Sequence, residues 1–120
     1  NLLEGQVTSV GPDGAVLTVA GMPIRVPAVA GLATGANAGV SLRHERIKVG
    51  RNLPSLGNHL SARVQEVIFT GSAVKYVLAV GGGNTTLTAQ LAHDGVTPLF
   101  ANGDEVEAGW EPEAGVVVFA

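Results

Sequence analysis

Residues able to do chemistry are few in this chain, and they are scattered. The three histidines, His44, His59 and His93, fall on separate turns and strands. None has the i, i+4 or His-x-His spacing that puts two imidazoles on one metal ion, so no metal site is expected. No serine occupies a Gly-x-Ser-x-Gly elbow, and no Gly-x-x-x-x-Gly-Lys-Ser/Thr loop is present to cradle nucleotide phosphates. Cysteine is absent, which removes disulfides and thiolate chemistry together and fits a reducing compartment. Gly81-Gly82-Gly83 has the composition of a phosphate loop but neither the following lysine nor the following helix, and reads as a hairpin tip. One cluster remains: Thr70, Ser72 and Lys75 around the Gly71 turn. Hydroxyls, turn N–H groups and one cation could hold a small anion there, although the same residues read first as a solvated turn. No catalytic residue is expected.

Charge is distributed in two runs. Arg43, Arg46, Lys48 and Arg51 are basic; Asp104, Glu105, Glu107, Glu111 and Glu113 are acidic, at the matching place later in the chain. They read either as two solvated faces or as two runs that attract, within one chain or across a dimer. With a formal net charge of −3 and five aromatic residues in all, a groove that neutralises phosphates and stacks bases is not expected, so single-strand binding ranks last and no nucleic-acid partner is expected.

The elements that must position these residues are strands. Apolar and polar residues alternate with period two throughout, and no segment sustains a helical period. Expected strands are Gln6 to Val10, Ala15 to Ala20, Ile24 and Val26, Ala38 to Leu42, and Ile47 and Val49, then Leu60 to Phe69, Val74 to Val80, Leu87 to Leu91, Val106 to Trp110 and Gly115 to Phe119. Turn chemistry separates them: Gly11-Pro12-Asp13-Gly14, Gly21-Met22-Pro23, Thr70-Gly71-Ser72, Gly81 to Asn84, His93-Asp94-Gly95 and Asn102-Gly103-Asp104. No apolar run approaches the length of a membrane span, and no signal peptide is visible. The chain begins at Asn1 rather than Met, which reads as processing or as a fragment of something longer.

The pattern is duplicated. Asn1-x-Leu3-x-Gly5-x-Val7 returns 57 positions later as Asn58-x-Leu60-x-Ala62-x-Val64. The closing segments match at a spacing of 68: Gly35…Ala38-x-Val40-x-Leu42-Arg43-His44-Glu45 lies over Gly103…Val106-x-Ala108-x-Trp110-Glu111-Pro112-Glu113. The second half therefore carries about eleven more residues, after Val64. The expected fold is all-β, with about ten short strands in two OB-like small barrels, packed together or partly intertwined. Residues 1–50 form the first half, 51–57 the connector and 58–120 the second half.

Three segments in order carry a resemblance. Leu42-Arg43-x-Glu45-x-Ile47 comes first, then Phe69-x-Gly71 with Tyr76, then Gly103-Asp104-x-Val106 with Trp110, Pro112 and Glu113. Together they resemble the TOBE-type regulatory domain that lies C-terminal to the ATPase in bacterial ABC importer ATP-binding subunits of the spermidine/putrescine, ferric-iron and related solute class. His44 departs from the proline usual in that family.

The resemblance implies a regulatory and dimerisation domain that supports ATP-driven solute uptake without itself hydrolysing ATP. ATP and Mg would be bound by the ATPase domain, leaving no cofactor for this chain. The implied partners are the chain's own ATPase domain, a twin subunit in a homodimer, the transporter membrane subunits and a small solute or oxyanion. The implied location is cytoplasmic, peripheral to the inner membrane. In that setting Arg43, Glu45, Trp110 and Glu113 are candidate interface residues. Arg43 and Glu45 read equally as a local pair that shapes a turn, worth under ~1 kcal/mol if exposed; Trp110 reads first as a barrel cap, because it supplies large buried area to an aromatic-poor core. The alternative function is a free-standing oxyanion-binding barrel of the molybdate type, for storage or sensing.

Overall fold

Period-two alternation builds ten strands in the computed structural model, which describes residues 1–93, 95 and 99–119. They are β1 (Leu2–Gly11), β2 (Gly14–Val19), β3 (Met22–Val26), β4 (Asn37–Leu42), β5 (Lys48–Gly50), β6 (Asn58–Thr70), β7 (Ala73–Val80), β8 (Thr85–Ala92), β9 (Glu105–Trp110) and β10 (Gly115–Phe119). Asp94 of the expected His93-Asp94-Gly95 turn lies outside the described residues. The remaining differences from expectation are at strand ends. β1 starts at Leu2 rather than Gln6, because Leu2–Gln6 pairs with β4 before Gln6 onward pairs with β2. One long, bent strand thus serves two neighbours.

The strands form two antiparallel five-stranded sheets, ordered β10-β4-β1-β2-β3 and β5-β9-β6-β7-β8. In each, the two outer strands approach one another, β3 towards β10 and β5 towards β8, so each sheet curls into a small barrel. Hydrogen bonding crosses the 51–57 segment in both directions. β10 pairs along its length with β4 in the first barrel, and β5 pairs with β9 in the second. Each barrel therefore receives its last strand from the other half. The reason is local. After Leu42 and after Trp110 the chain makes a single turn of three residues, His44–Arg46 or Pro112–Ala114. It enters and leaves each turn extended, so it runs on into the neighbouring sheet instead of folding back.

The duplication is visible atom by atom. β1 has a bulge between Val7 and Ser9, and β6 has one between Val64 and Glu66. At the first, the Val7 N–H donates to Ala36 O and Val7 O accepts from the Gly35 N–H, both at 2.8 Å. At the second, the Val64 N–H donates to Asp104 O at 3.0 Å and Val64 O accepts from the Gly103 N–H at 2.7 Å. The eleven additional residues are not one insertion. They lengthen β6, β7 and β8, the tip between β7 and β8, and the loop before β9.

The repeated asparagines join the barrels. The Asn58 side chain, 2% exposed, reaches across to the edge of β3. Its Oδ1 accepts from the Arg25 N–H at 2.7 Å, and its Nδ2 donates to Arg25 O at 2.9 Å. Asn1 makes the reciprocal pair on the edge of β8: Oδ1 accepts from the Thr88 N–H at 2.8 Å and Nδ2 donates to Thr88 O at 2.8 Å. A carboxamide has the donor and acceptor of a peptide unit, so each asparagine supplies one rung to a strand edge that would otherwise lack a partner. The tips of the equivalent hairpins also meet: a Cβ on Gly81 would fall 3.0 Å from the Ala20 Cβ and 3.1 Å from the Met22 Cε.

The buried apolar residues of both barrels form one continuous cluster, running from Leu3, Leu17, Ile24 and Leu42 to Leu78, Leu87, Ala108 and Trp110. The molecule is 45 Å long and 24 Å across in the other two directions. Among the described residues, no helix is long and apolar enough to cross a membrane.

Candidate functional site

The two closing motifs of the duplication are the two crossover turns. Arg43 (φ −72°, ψ 145°) and Glu111 (φ −75°, ψ 142°) enter them with nearly the same extended backbone. The Arg46 N–H donates to Arg43 O at 3.1 Å, and the Ala114 N–H donates to Glu111 O at 2.9 Å. The Ile47 and Gly115 N–H groups then donate to His44 O and Pro112 O. Pro112 suits the first position of such a turn because its φ is already set and its missing N–H is not needed. The first turn packs on β8 and the second on β3, so each crossover lies beside the edge held by an asparagine.

Arg43, Glu45 and Glu113 are exposed on these turns. Among the described residues, Arg43 and Glu45 form no ion pair with each other or with another side chain. Trp110 ends β9 and is 1% exposed, so its ring belongs to the core. Among the described residues its Nε1–H has no hydrogen-bond acceptor.

Thr70, Ser72 and Lys75 lie at and just beyond one hairpin tip. Thr70 and Ser72 flank the exposed Gly71 (φ 66°) at the β6–β7 tip, where Ser72 O accepts from the His93 N–H at 2.8 Å. Lys75 lies three residues further along β7, opposite Ile68 and Gln90, about 10 Å from Ser72 at the usual strand rise. Its charge is felt instead at the first crossover. Burial foremost, then the amino terminus and Lys75, lower the His44 pKa below its ordinary 6.5, against an opposing pull from Glu45. Phe69 is 60% exposed at the β6–β7 tip, its ring 6.2 Å from His93.

The basic and acidic runs meet within the chain at one pair, Arg51 and Asp104, at 3.5 Å. The other pairs use residues outside the basic run: Arg63 with Glu105 at 3.0 Å and His59 with Glu107 at 3.3 Å. All are substantially solvated, so none anchors the fold. The Leu53 N–H donates to Glu107 Oε1 at 3.1 Å, and this bond, ahead of the His59 contact, lowers the Glu107 pKa. Tyr76, in the second motif, is a core residue whose hydroxyl accepts from the Phe100 N–H at 3.2 Å; Phe100 packs edge-on to it, and the Arg51 guanidinium lies 5.1 Å over the Phe100 ring. These groups fasten the loop before β9. A groove of about 700 Å³ beside it is bounded by Arg51, Arg63, Glu105, Glu107 and the Gly81–Gly83 turn; Arg63 and Glu105 pair with each other, while Arg51 pairs with Asp104 and Glu107 with His59.

Among the described residues, no three His, Asp or Glu side chains gather as metal ligands. What the geometry offers is an inter-barrel frame with exposed charged crossovers. The frame's pins, Asn1 and Asn58, were not singled out as site residues from sequence, although their recurrence at a spacing of 57 was the signal.

The TOBE domain family matches residues 40–118, from within β4 to the penultimate residue of β10, taking in both crossovers. The spermidine/putrescine import ATP-binding protein PotA of Chromobacterium violaceum is 31% identical over 119 residues, covering 96% of this chain and 33% of that protein. The protein of the same name from Rubrobacter xylanophilus is 32% identical over 115 residues, covering 92% of this chain and 29% of its own length. The chain thus spans about a third of the length of these curated relatives. Among solved structures, the molybdate-bound form of the cytoplasmic molybdate-binding protein ModG superposes with a TM-score of 0.88 at 15% identity, covering 100% of this chain and 96% of that one; the likeness is one of fold. With a match across two thirds of its residues and both of its crossover motifs, the chain belongs to the TOBE domain family.

Proposed function

We propose that this chain is the regulatory and dimerisation domain of the ATP-binding subunit of a bacterial ABC importer, on the cytoplasmic side of the membrane. The observation that carries the reading is the alignment of nearly the whole chain to about a third of import ATP-binding proteins. In this reading ATP and Mg are bound by a separate ATPase domain, because this sequence carries no phosphate-binding lysine loop of its own. In this role the barrel pair is a stiff spacer. A continuous core and exchanged strands transmit force between a contact on one barrel and a contact on the other. In this reading the exposed crossover residues Arg43, Glu45 and Glu113 meet the ATPase domain or a twin subunit.

Deleting residues 1–120 from the subunit that carries them tests the proposal, read as solute uptake in cells. Uptake, or its regulation by the solute, should fall while nucleotide binding by the remaining ATPase domain persists. Unchanged uptake and regulation would sink the reading. A second reading, a free-standing oxyanion-binding barrel, draws on the fold likeness to ModG. Calorimetric titration of the chain with molybdate separates the two, since only the second requires tight saturable binding.

A further inference from the structure

Asn102-Gly103 is the single Asn-Gly pair of the chain, and both residues are exposed. A carboxamide followed by glycine is the least hindered setting for attack by the next backbone nitrogen, because no Cβ stands beside that nitrogen. In the fold the Gly103 N–H is already engaged: it donates to Val64 O at 2.7 Å, at the β6 bulge. The turn around it is tied at both ends. The Asp104 N–H donates to Ala101 O at 3.0 Å, and the Ala101 N–H donates to Asp104 Oδ2 at 2.9 Å. The Asp104 carboxylate also sets a negative charge beside Gly103, which disfavours loss of a proton there. The equivalent turn of the first barrel makes the same bond, from the Gly35 N–H to Val7 O at 2.8 Å, but its preceding residue is Thr34.

We propose that Asn102 is a site of spontaneous deamidation that the fold holds closed and that opening of the β6 bulge releases. Water is the only co-reactant. The Gly103 nitrogen gives up its proton and bonds to Asn102 Cγ. The Cγ–Nδ2 bond breaks, and Nδ2 leaves with that proton as ammonia, giving a succinimide. Water then opens the ring at either carbonyl, to aspartate or to isoaspartate, and nothing is oxidised or reduced. While the Gly103 N–H donates to Val64 O, its proton is held and the cross-linked turn is fixed. Once formed, isoaspartate routes the backbone through the side-chain methylene. The added backbone atom pulls the Gly103 and Asp104 bonds to Val64 out of register, so the second barrel loses its bulge while the first, with Thr34, keeps its own. The proposal does not depend on the transporter reading.

The chain is incubated at neutral pH across a guanidinium series. Conversion is followed by peptide mapping with mass spectrometry, which reads the exchange of an amide nitrogen for oxygen, and isoaspartate is read by enzymatic methylation. Hydrogen exchange of the Gly103 amide is measured in the same solutions below the unfolding transition. Conversion should map to Asn102 and run at least ~tenfold faster in the unfolded chain than in the native one, because a bonded turn reacts only through its rare local openings. Below the transition, conversion and Gly103 exchange should rise in proportion. Asn102→Thr, which copies Thr34, should remove the signal at this position and leave the fold native. Equal rates in the native and unfolded chains overturn the proposal. So does an unfolded chain that keeps its Asn102 amide while converting elsewhere, or a native-state rate that does not follow Gly103 exchange.

Discussion

Replacing Asn58 with alanine removes both of its hydrogen bonds to Arg25, at 2.7 and 2.9 Å, from a side chain only 2% exposed. A typical internal hydrogen bond contributes a net ~0.5–1.5 kcal/mol, and a polar group stranded out of water costs ~1–3 kcal/mol. The Arg25 side chain is exposed, so water can reach part of the vacated edge and the lower ends of these ranges apply. The expected loss is about 2–3 kcal/mol, or roughly 10 °C in Tm for a chain of this size. Asn58→Asp should be worse at neutral pH: it keeps an acceptor for the Arg25 N–H but faces Arg25 O with a buried negative charge. Burial and that carbonyl raise its folded pKa above the unfolded value, so the folded state binds the extra proton and the Asp variant regains stability as pH falls through that window. Urea unfolding followed by Trp110 fluorescence measures both. An Asn58→Ala midpoint within ~0.5 kcal/mol of wild type, at unchanged m-value, would refute the view that this amide joins the barrels.

Three further outcomes follow from named contacts. Gly5→Ala should destabilise by more than ~3 kcal/mol or prevent folding, in the range of severe overpacking, because its Cβ would fall 2.1 Å from Thr18 O; at the equivalent position Ala62→Gly should cost only ~0.5–1 kcal/mol, the strand-entropy penalty of glycine. His44 should titrate below 6.5 by NMR, for burial first and Lys75 among the other causes, and Lys75→Gln should move it upward. Since its folded pKa is depressed, the unfolded chain binds the proton more readily, so its contribution to stability is complete above 6.5 and is lost as pH falls from there. The lowered pKa of Glu107, due first to the Leu53 N–H, gives a contribution present above 4.5 and lost as pH falls through the folded value. Glu107→Gln should therefore flatten the acid limb of a stability-versus-pH curve measured by urea titration.

The strands were legible because alternation and turn chemistry are local: Pro12-Asp13, Gly71-Ser72 and Gly81 to Asn84 all separate the strands they were expected to separate. The duplication was legible too, down to the two spacings, since Val7 and Val64 hold the same bulge and Gly35 and Gly103 the same bond. The destination of a strand is a non-local property. Nothing in Lys48–Gly50 or Gly115–Phe119 says which sheet receives it, and the short crossover turns decide that only once both sheets exist. Thr70, Ser72 and Lys75 show the same limit: they are close in sequence, yet an extended strand sets the Lys75 backbone about 10 Å beyond Ser72. A small cavity at Trp110 draws Arg46 and Lys48 from one half and Glu111 from the other, a grouping that exists only through the exchange.

The most direct test of the proposed role, in which this chain is part of an ATP-binding subunit, is light scattering on that subunit with and without residues 1–120, at a series of concentrations. The account predicts that removing them weakens subunit dimerisation while the remaining ATPase domain still binds nucleotide. Dimerisation of equal strength in the two forms would contradict it.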